Sequence, residues 1–85
     1  MSYSVRYRAS ALKRLEGLDG AIRERLARRI AEIAEQPRGP SCIALQGRAG
    51  YRVRVGDYRI VYTVDDSTRA VTIEVVDHRR DVYRR

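Results

Sequence analysis

At 85 residues, with a formal net charge of +7 and a pI near 10.3, the chain has the length of one small domain and the charge of a protein with an acidic partner: nucleic acid, an anionic membrane or an acidic protein. Its single cysteine, Cys42, excludes an intramolecular disulfide and a cysteine-based zinc cluster, and a single histidine argues against a histidine-bearing metal site. No run has membrane-spanning length and the N-terminus lacks the apolar core of a signal peptide, so a cytoplasmic protein without membrane contact is expected.

The chain opens on an alternating stretch, Tyr3 to Arg8, that predicts a first strand. Ser10 is placed to cap a short helix running to about Leu18, with Ala11, Leu12, Leu15 and Leu18 on its apolar side. Asp19 is placed to cap a second, longer helix that Pro37 stops at about Gln36. Within it Ile22, Leu26, Ile30 and Ile33 form one stripe, while Arg23, Glu24, Arg25, Arg28, Arg29, Glu32 and Glu35 form a face expected to be solvated, with Glu24 and Arg28 spaced for an ion pair. From Pro37 to Gly50 the composition turns to Pro, Gly and Ser, which predicts a connecting loop with a short apolar segment tucked in around Ile43 and Leu45. Cys42, with no histidine near it in sequence, reads as a small packed side chain and not as a nucleophile.

Tyr51 to Tyr62 reads as a β-hairpin: two arms flank Gly56-Asp57, a dipeptide suited to a two-residue turn. In that register Val55 faces Tyr58, Arg54 faces Arg59 and Val53 faces Ile60. The period of two then puts Val53, Val55, Tyr58, Ile60 and Tyr62 on one surface and Arg52, Arg54 and Arg59 on the other. Like charges directly opposite each other destabilise a sheet, so facing guanidiniums point to a bound anion, with phosphate the natural candidate. On the same ground, removing Arg59 is expected to leave thermal stability unchanged or slightly raised. The use of arginine for seventeen of the eighteen basic residues, Lys13 being the exception, fits planar phosphate contacts.

A turn at Asp65-Asp66-Ser67-Thr68 leads to a last strand, Ala70 to Val76, expected to send Val71, Ile73 and Val75 to the core. The predicted fold class is therefore α+β: an N-terminal strand, a two-helix hairpin and a three-stranded antiparallel meander, with both helices on one face and the arginines on the other. The tail from Asp77 to Arg85 gathers polar, basic and aromatic groups. Histidine is the side-chain type that titrates near neutrality, and if the strand continues that far, the parity of His78 with Thr72, Glu74 and Val76 directs it to the arginine face. Tyr83 reads either as a plug for the core or as a platform on which a base stacks, and the arginines around it favour the second.

The element order, the phrase Gly56-Asp57-Tyr58-Arg59-Ile60-Val61-Tyr62 and the ending Val76-Asp77-His78-Arg79-Arg80-Asp81-Val82-Tyr83 resemble the RelE/ParE superfamily of bacterial toxins, and its RelE branch more closely. The likeness spans essentially the whole chain and implies one RelE-like toxin domain over residues 1–85. It implies a toxin of a type II toxin-antitoxin system that enters the ribosomal A site and cuts messenger RNA there by attack of the ribose 2′-OH, without metal or other cofactor, and so inhibits translation. The partners implied are the ribosome, mRNA and a cognate acidic antitoxin. The resemblance matches Arg52 and Arg54 to the basic positions of the hairpin strand, Arg59 to the phosphate-binding arginine, Arg79 to the tail arginine and Tyr83 to the base-stacking tyrosine. Arg48, Arg80, Arg84 and Arg85 join Arg52 as expected phosphate contacts.

That chemistry needs a group to take the 2′-OH proton, cations to offset charge on the phosphorane and a donor for the departing 5′ oxygen. Many members carry lysine at the hairpin positions, and arginine cannot give up its proton as a desolvated lysine does. Arg54 is thus a poor general base, and His78 is the expected acceptor in its place; the alternative is activation by the arginine field with little base help. The chain also ends two residues after Tyr83, which speaks against control through an added C-terminal helix. Two other readings stand beside the nuclease: a ParE-like toxin of the same fold that inhibits DNA gyrase by binding, and an RNA-binding or antitoxin-like regulatory module.

Overall fold

The computed structural model describes residues 2–79. Its elements run β1 (Ser4–Tyr7), α1 (Ala9–Glu16), α2 (Gly20–Glu35), β2 (Ile43–Ala44), β3 (Tyr51–Val55), β4 (Tyr58–Asp65) and β5 (Ala70–His78). The strands form one five-stranded sheet in the order β1-β5-β4-β3-β2. The α+β class and the meander stand as expected, and β1 lies parallel to β5, pairing Ser4 with Ala70 and Tyr7 with Ile73. Leu15 of α1 and Leu26, Ile30 and Ile33 of α2 pack with Val53, Ile60, Tyr62, Val71, Ile73 and Val76, so the core lies between the helices and one face of the sheet.

Both helices begin without a side-chain cap. The first starts at Ala9, ahead of Ser10, because the chain leaves the sheet directly into it. The Arg8 amide still donates to the Ile73 carbonyl at 3.0 Å, while the Arg8 carbonyl accepts the first helical bond from the Leu12 amide at 3.0 Å. Asp19 does occupy the cap position of α2, through its carbonyl, which accepts from the Arg23 amide at 2.8 Å. On the charged face Glu24 and Arg28 form no ion pair; Arg29 pairs with Glu32 at 2.9 Å instead.

The segment expected as a tucked-in loop contributes the edge strand β2, in which Ile43 pairs with Arg52 and is 51% exposed. Pro37, just past α2, is buried, and its carbonyl accepts a hydrogen bond from the Tyr62 hydroxyl at 2.6 Å. Tyr62 is fully buried and stacks on Tyr51 with ring centroids 5.7 Å apart. Burial, with the Cys42 thiol as a further neighbour, pushes the Tyr62 phenol well above its ordinary value. A free tyrosine ionises near pH 10, so the stability contributed by the neutral phenol is fully present below that pH and declines as pH rises above it. Tyr62→Phe should lower stability by about 1–2 kcal/mol at neutral pH, through the unpaired Pro37 carbonyl. It should also lose less stability than the wild type between pH 9 and 11, as followed by denaturant unfolding across that range.

A β-bulge in β5 sets which side chains meet across the sheet. Val61 pairs with Val75 and Tyr62 with Ile73, so Glu74 is the extra residue. Its carboxylate is held there, one oxygen accepting from Thr63 Oγ1 at 3.2 Å and the other from Arg8 Nε. Past the bulge the parity of β5 reverses. Val76 replaces Val75 as the core residue, contrary to the simple alternation.

Candidate functional site

The arginine hairpin forms in the expected register, Val55 opposite Tyr58, Arg54 opposite Arg59 and Val53 opposite Ile60. Its turn rests on Gly56, whose φ of +59° suits a residue without Cβ; the Arg25 guanidinium of α2 lies 3.5 Å from where a Cβ would stand. Arg52, Arg54 and Arg59 share the sheet face opposite the helices, by the parity that sends Val53 and Ile60 into the core. Beyond β5 the Arg79 amide donates to the Asp57 carbonyl at 2.7 Å, which ties the end of the described chain to the hairpin turn. The result is a cleft of about 150 Å³ lined by Arg52, Arg54, Gly56, Asp57, Tyr58, Arg59 and Arg79. Three arginines of the hairpin and one from beyond β5 thus converge on a space large enough for a phosphate group.

The electrostatics of the facing pair differ from the sequence expectation. Arg59 is bound by Asp77 through two hydrogen bonds, Nη2 to Oδ2 at 2.9 Å and Nε to Oδ1 at 3.3 Å. Asp77 is only 5% exposed, whereas the Arg59 side chain is 36% exposed. The internal carboxylate supplies part of the compensation that two opposed guanidiniums require. Among the described residues no carboxylate forms an ion pair with Arg52, Arg54 or Arg79, so their charge is left for a bound anion. Asp77 read as the first residue of the tail; it lies within β5, and the bulge turns it to the arginine face, opposite Arg59.

The same bulge overturns the placement of His78. It pairs with Tyr58, its ring meeting the Tyr58 ring edge-on at 4.9 Å, and it shares the parity of the core residue Val76. His78 is therefore on the helix side of the sheet and does not line the arginine cleft. Arg48 is also apart from it, in a separate groove with Arg38, Leu45, Gly50, Tyr51 and Thr63. Tyr83, Arg80, Arg84 and Arg85 lie outside the described residues.

Chain-wide comparisons agree with the fold. The family model described as the ParE toxin of type II toxin-antitoxin systems, parDE, matches residues 5–83. Toxin RelG of Mycobacterium tuberculosis is 32% identical, with 100% of both chains covered. Among solved structures, the isolated Escherichia coli RelE toxin superposes with a TM-score of 0.83 at 30% identity, covering 98% of this chain and 93% of RelE. The toxin in the intact E. coli RelBE toxin-antitoxin complex superposes with a TM-score of 0.82 at 29% identity, covering 91% of this chain and 96% of that one.

Proposed function

The chain belongs to the RelE/ParE superfamily, as a toxin of a type II toxin-antitoxin system of the RelBE type, and from that premise we propose that it cuts messenger RNA in the ribosomal A site. The observation that carries this reading is the convergence of Arg52, Arg54, Arg59 and Arg79 on one cleft. In-line attack by a ribose 2′-OH builds negative charge on the non-bridging phosphoryl oxygens, and cations fixed on a rigid sheet stabilise that charge without having to reorganise. Arg59, anchored from behind, is the phosphate-binding arginine of this reading, with Arg54 opposite it and Arg52 and Arg79 flanking. Tyr83 keeps the base-stacking role that the resemblance gives it. His78, on the far face, is not assigned the proton-accepting role; the arginine field eases ionisation of the 2′-OH, whose proton passes to water, and water returns a proton to the departing 5′ oxygen. A cognate acidic antitoxin is the proposed inhibitory partner, drawn by the charge of +7, and a ribosomal target places the activity in the cytoplasm.

Purified toxin added to ribosomes programmed with a defined message should leave cuts confined to the A-site codon, read by primer extension. Arg54 is exposed and lacks an ion-pair partner among the described residues, so Arg54→Ala should keep its stability within about 0.5 kcal/mol of wild type. The same change should slow scission by about 10²–10³-fold, the range for losing one positioned charge-stabilising donor. An intact message together with inhibition of purified DNA gyrase would instead support a ParE-like toxin.

A further inference from the structure

We propose that Asp77 is a positioning residue for the cleft: it grips the Arg59 guanidinium by Nε and Nη2 and so aims the remaining N–H groups of that arginine at the RNA phosphate. This rests on the ribonuclease reading. The guanidinium is a rigid planar fork of five donors, and the carboxylate occupies the side made by Nε and one Nη2 hydrogen. That leaves both Nη1 hydrogens and the second Nη2 hydrogen on the more exposed side of the pair, the side that lines the cleft. A long arginine side chain otherwise samples many rotamers, and a phosphate that has to select one of them binds less tightly than one that meets a fork already set.

The placement of the acid fits this role and no direct one. A carboxylate exposed among phosphate-binding arginines would repel the substrate. Asp77 is buried behind Arg59, so the phosphate meets the guanidinium and not the acid. It reaches that place only because Glu74 bulges out of β5; with an unbroken ladder Asp77 would share a face with the helices. Bulges commonly re-aim a side chain beside a functional site.

The test is a double-mutant cycle on programmed ribosomes with wild type, Asp77→Asn, Arg59→Ala and the double variant. Asparagine keeps the shape and one acceptor, so the variant should fold, and the Arg59 Nε–H resonance should exchange with solvent faster in it than in the wild type. Asp77→Asn should slow scission by about 10–100-fold when Arg59 is present, the order expected for a misplaced catalytic contact, and by no more than about twofold when Arg59 is alanine. Equal losses in both backgrounds would show that Asp77 acts independently of Arg59 and overturn the proposal. Should wild type cut no message, the ribonuclease reading fails, and Asp77 is then judged on binding of a 2′-O-methyl RNA oligonucleotide, which carries phosphates but cannot react. Weaker binding by Asp77→Asn that vanishes in the Arg59→Ala background supports the positioning role. Equal affinities of wild type and Asp77→Asn, with nil for both included, overturn it.

Discussion

Arg59→Ala should unfold roughly 10–20 °C below the wild type, as well as losing scission by about 10²–10³-fold. The sheet register alone argues the other way, since Arg59 faces Arg54 and removing one of two opposed cations relieves repulsion. The carboxylate behind it decides the sign. Asp77 is 5% exposed and takes two hydrogen bonds from Arg59, so alanine at 59 strands a buried anion. Breaking a buried pair from one side removes about 3–5 kcal/mol; because the Arg59 side chain is 36% exposed, water can reach part of the site and about 2–3 kcal/mol is expected. Adding Asp77→Ala to the same chain should return part of that stability while leaving scission low, because the stranded charge is gone but the phosphate contact is not restored. Thermal unfolding of the two variants beside wild type reads this directly. A midpoint for Arg59→Ala at or above that of wild type would mean that repulsion from Arg54 outweighs the Asp77 bridge.

Gly50→Ala should be still more damaging to folding, at a position outside the arginine cleft. Gly50 has φ of +126°, a conformation that side-chain-bearing residues rarely adopt. A Cβ there would stand 2.9 Å from the Tyr62 carbonyl oxygen and 3.1 Å from Leu45 Cδ1. The first neighbour is backbone in the centre of the sheet and cannot swing aside, and the Gly50 carbonyl also accepts from the Leu45 amide at 3.0 Å, closing the link between β2 and β3. Strain and overpacking each contribute about 1–3 kcal/mol, so a loss of about 3–5 kcal/mol is expected, a large part of the total stability of a chain this size. Soluble yield and urea unfolding of Gly50→Ala should show it. A midpoint within error of wild type would mean that β2 shifts freely to admit the methyl group and does not help to fix β3.

What could be read in advance followed from local physics. The stripe of Leu26, Ile30 and Ile33 marks a helix because 3.6-residue periodicity is written along one segment, and all three are core residues. The hairpin register followed from its two-residue turn, which binds two arms adjacent in sequence, and so did the sharing of one face by Arg52, Arg54 and Arg59. The resemblance carried the superfamily, since the motif residues lie in sequence as they do in the fold. The position of β1, by contrast, was not legible: its parallel partner β5 lies more than sixty residues away, with a register that no turn dictates. Ile43 looked like a core residue because apolarity alone does not distinguish an exposed edge strand from a tucked-in loop.

The hairpin, the helices and the arginine face were thus determined by the sequence itself, through turn geometry and periodicity over a few residues. Which groups stand beside those arginines was decided only by the tertiary structure. One bulge, at Glu74, exchanges the faces of Asp77 and His78, bringing a buried acid behind Arg59 and taking the histidine away from the cleft. Alternation along β5 cannot register that exchange. The extra residue exists only relative to the β4 ladder it fails to match, and what holds it there, Thr63 and Arg8, comes from two other strands' worth of chain.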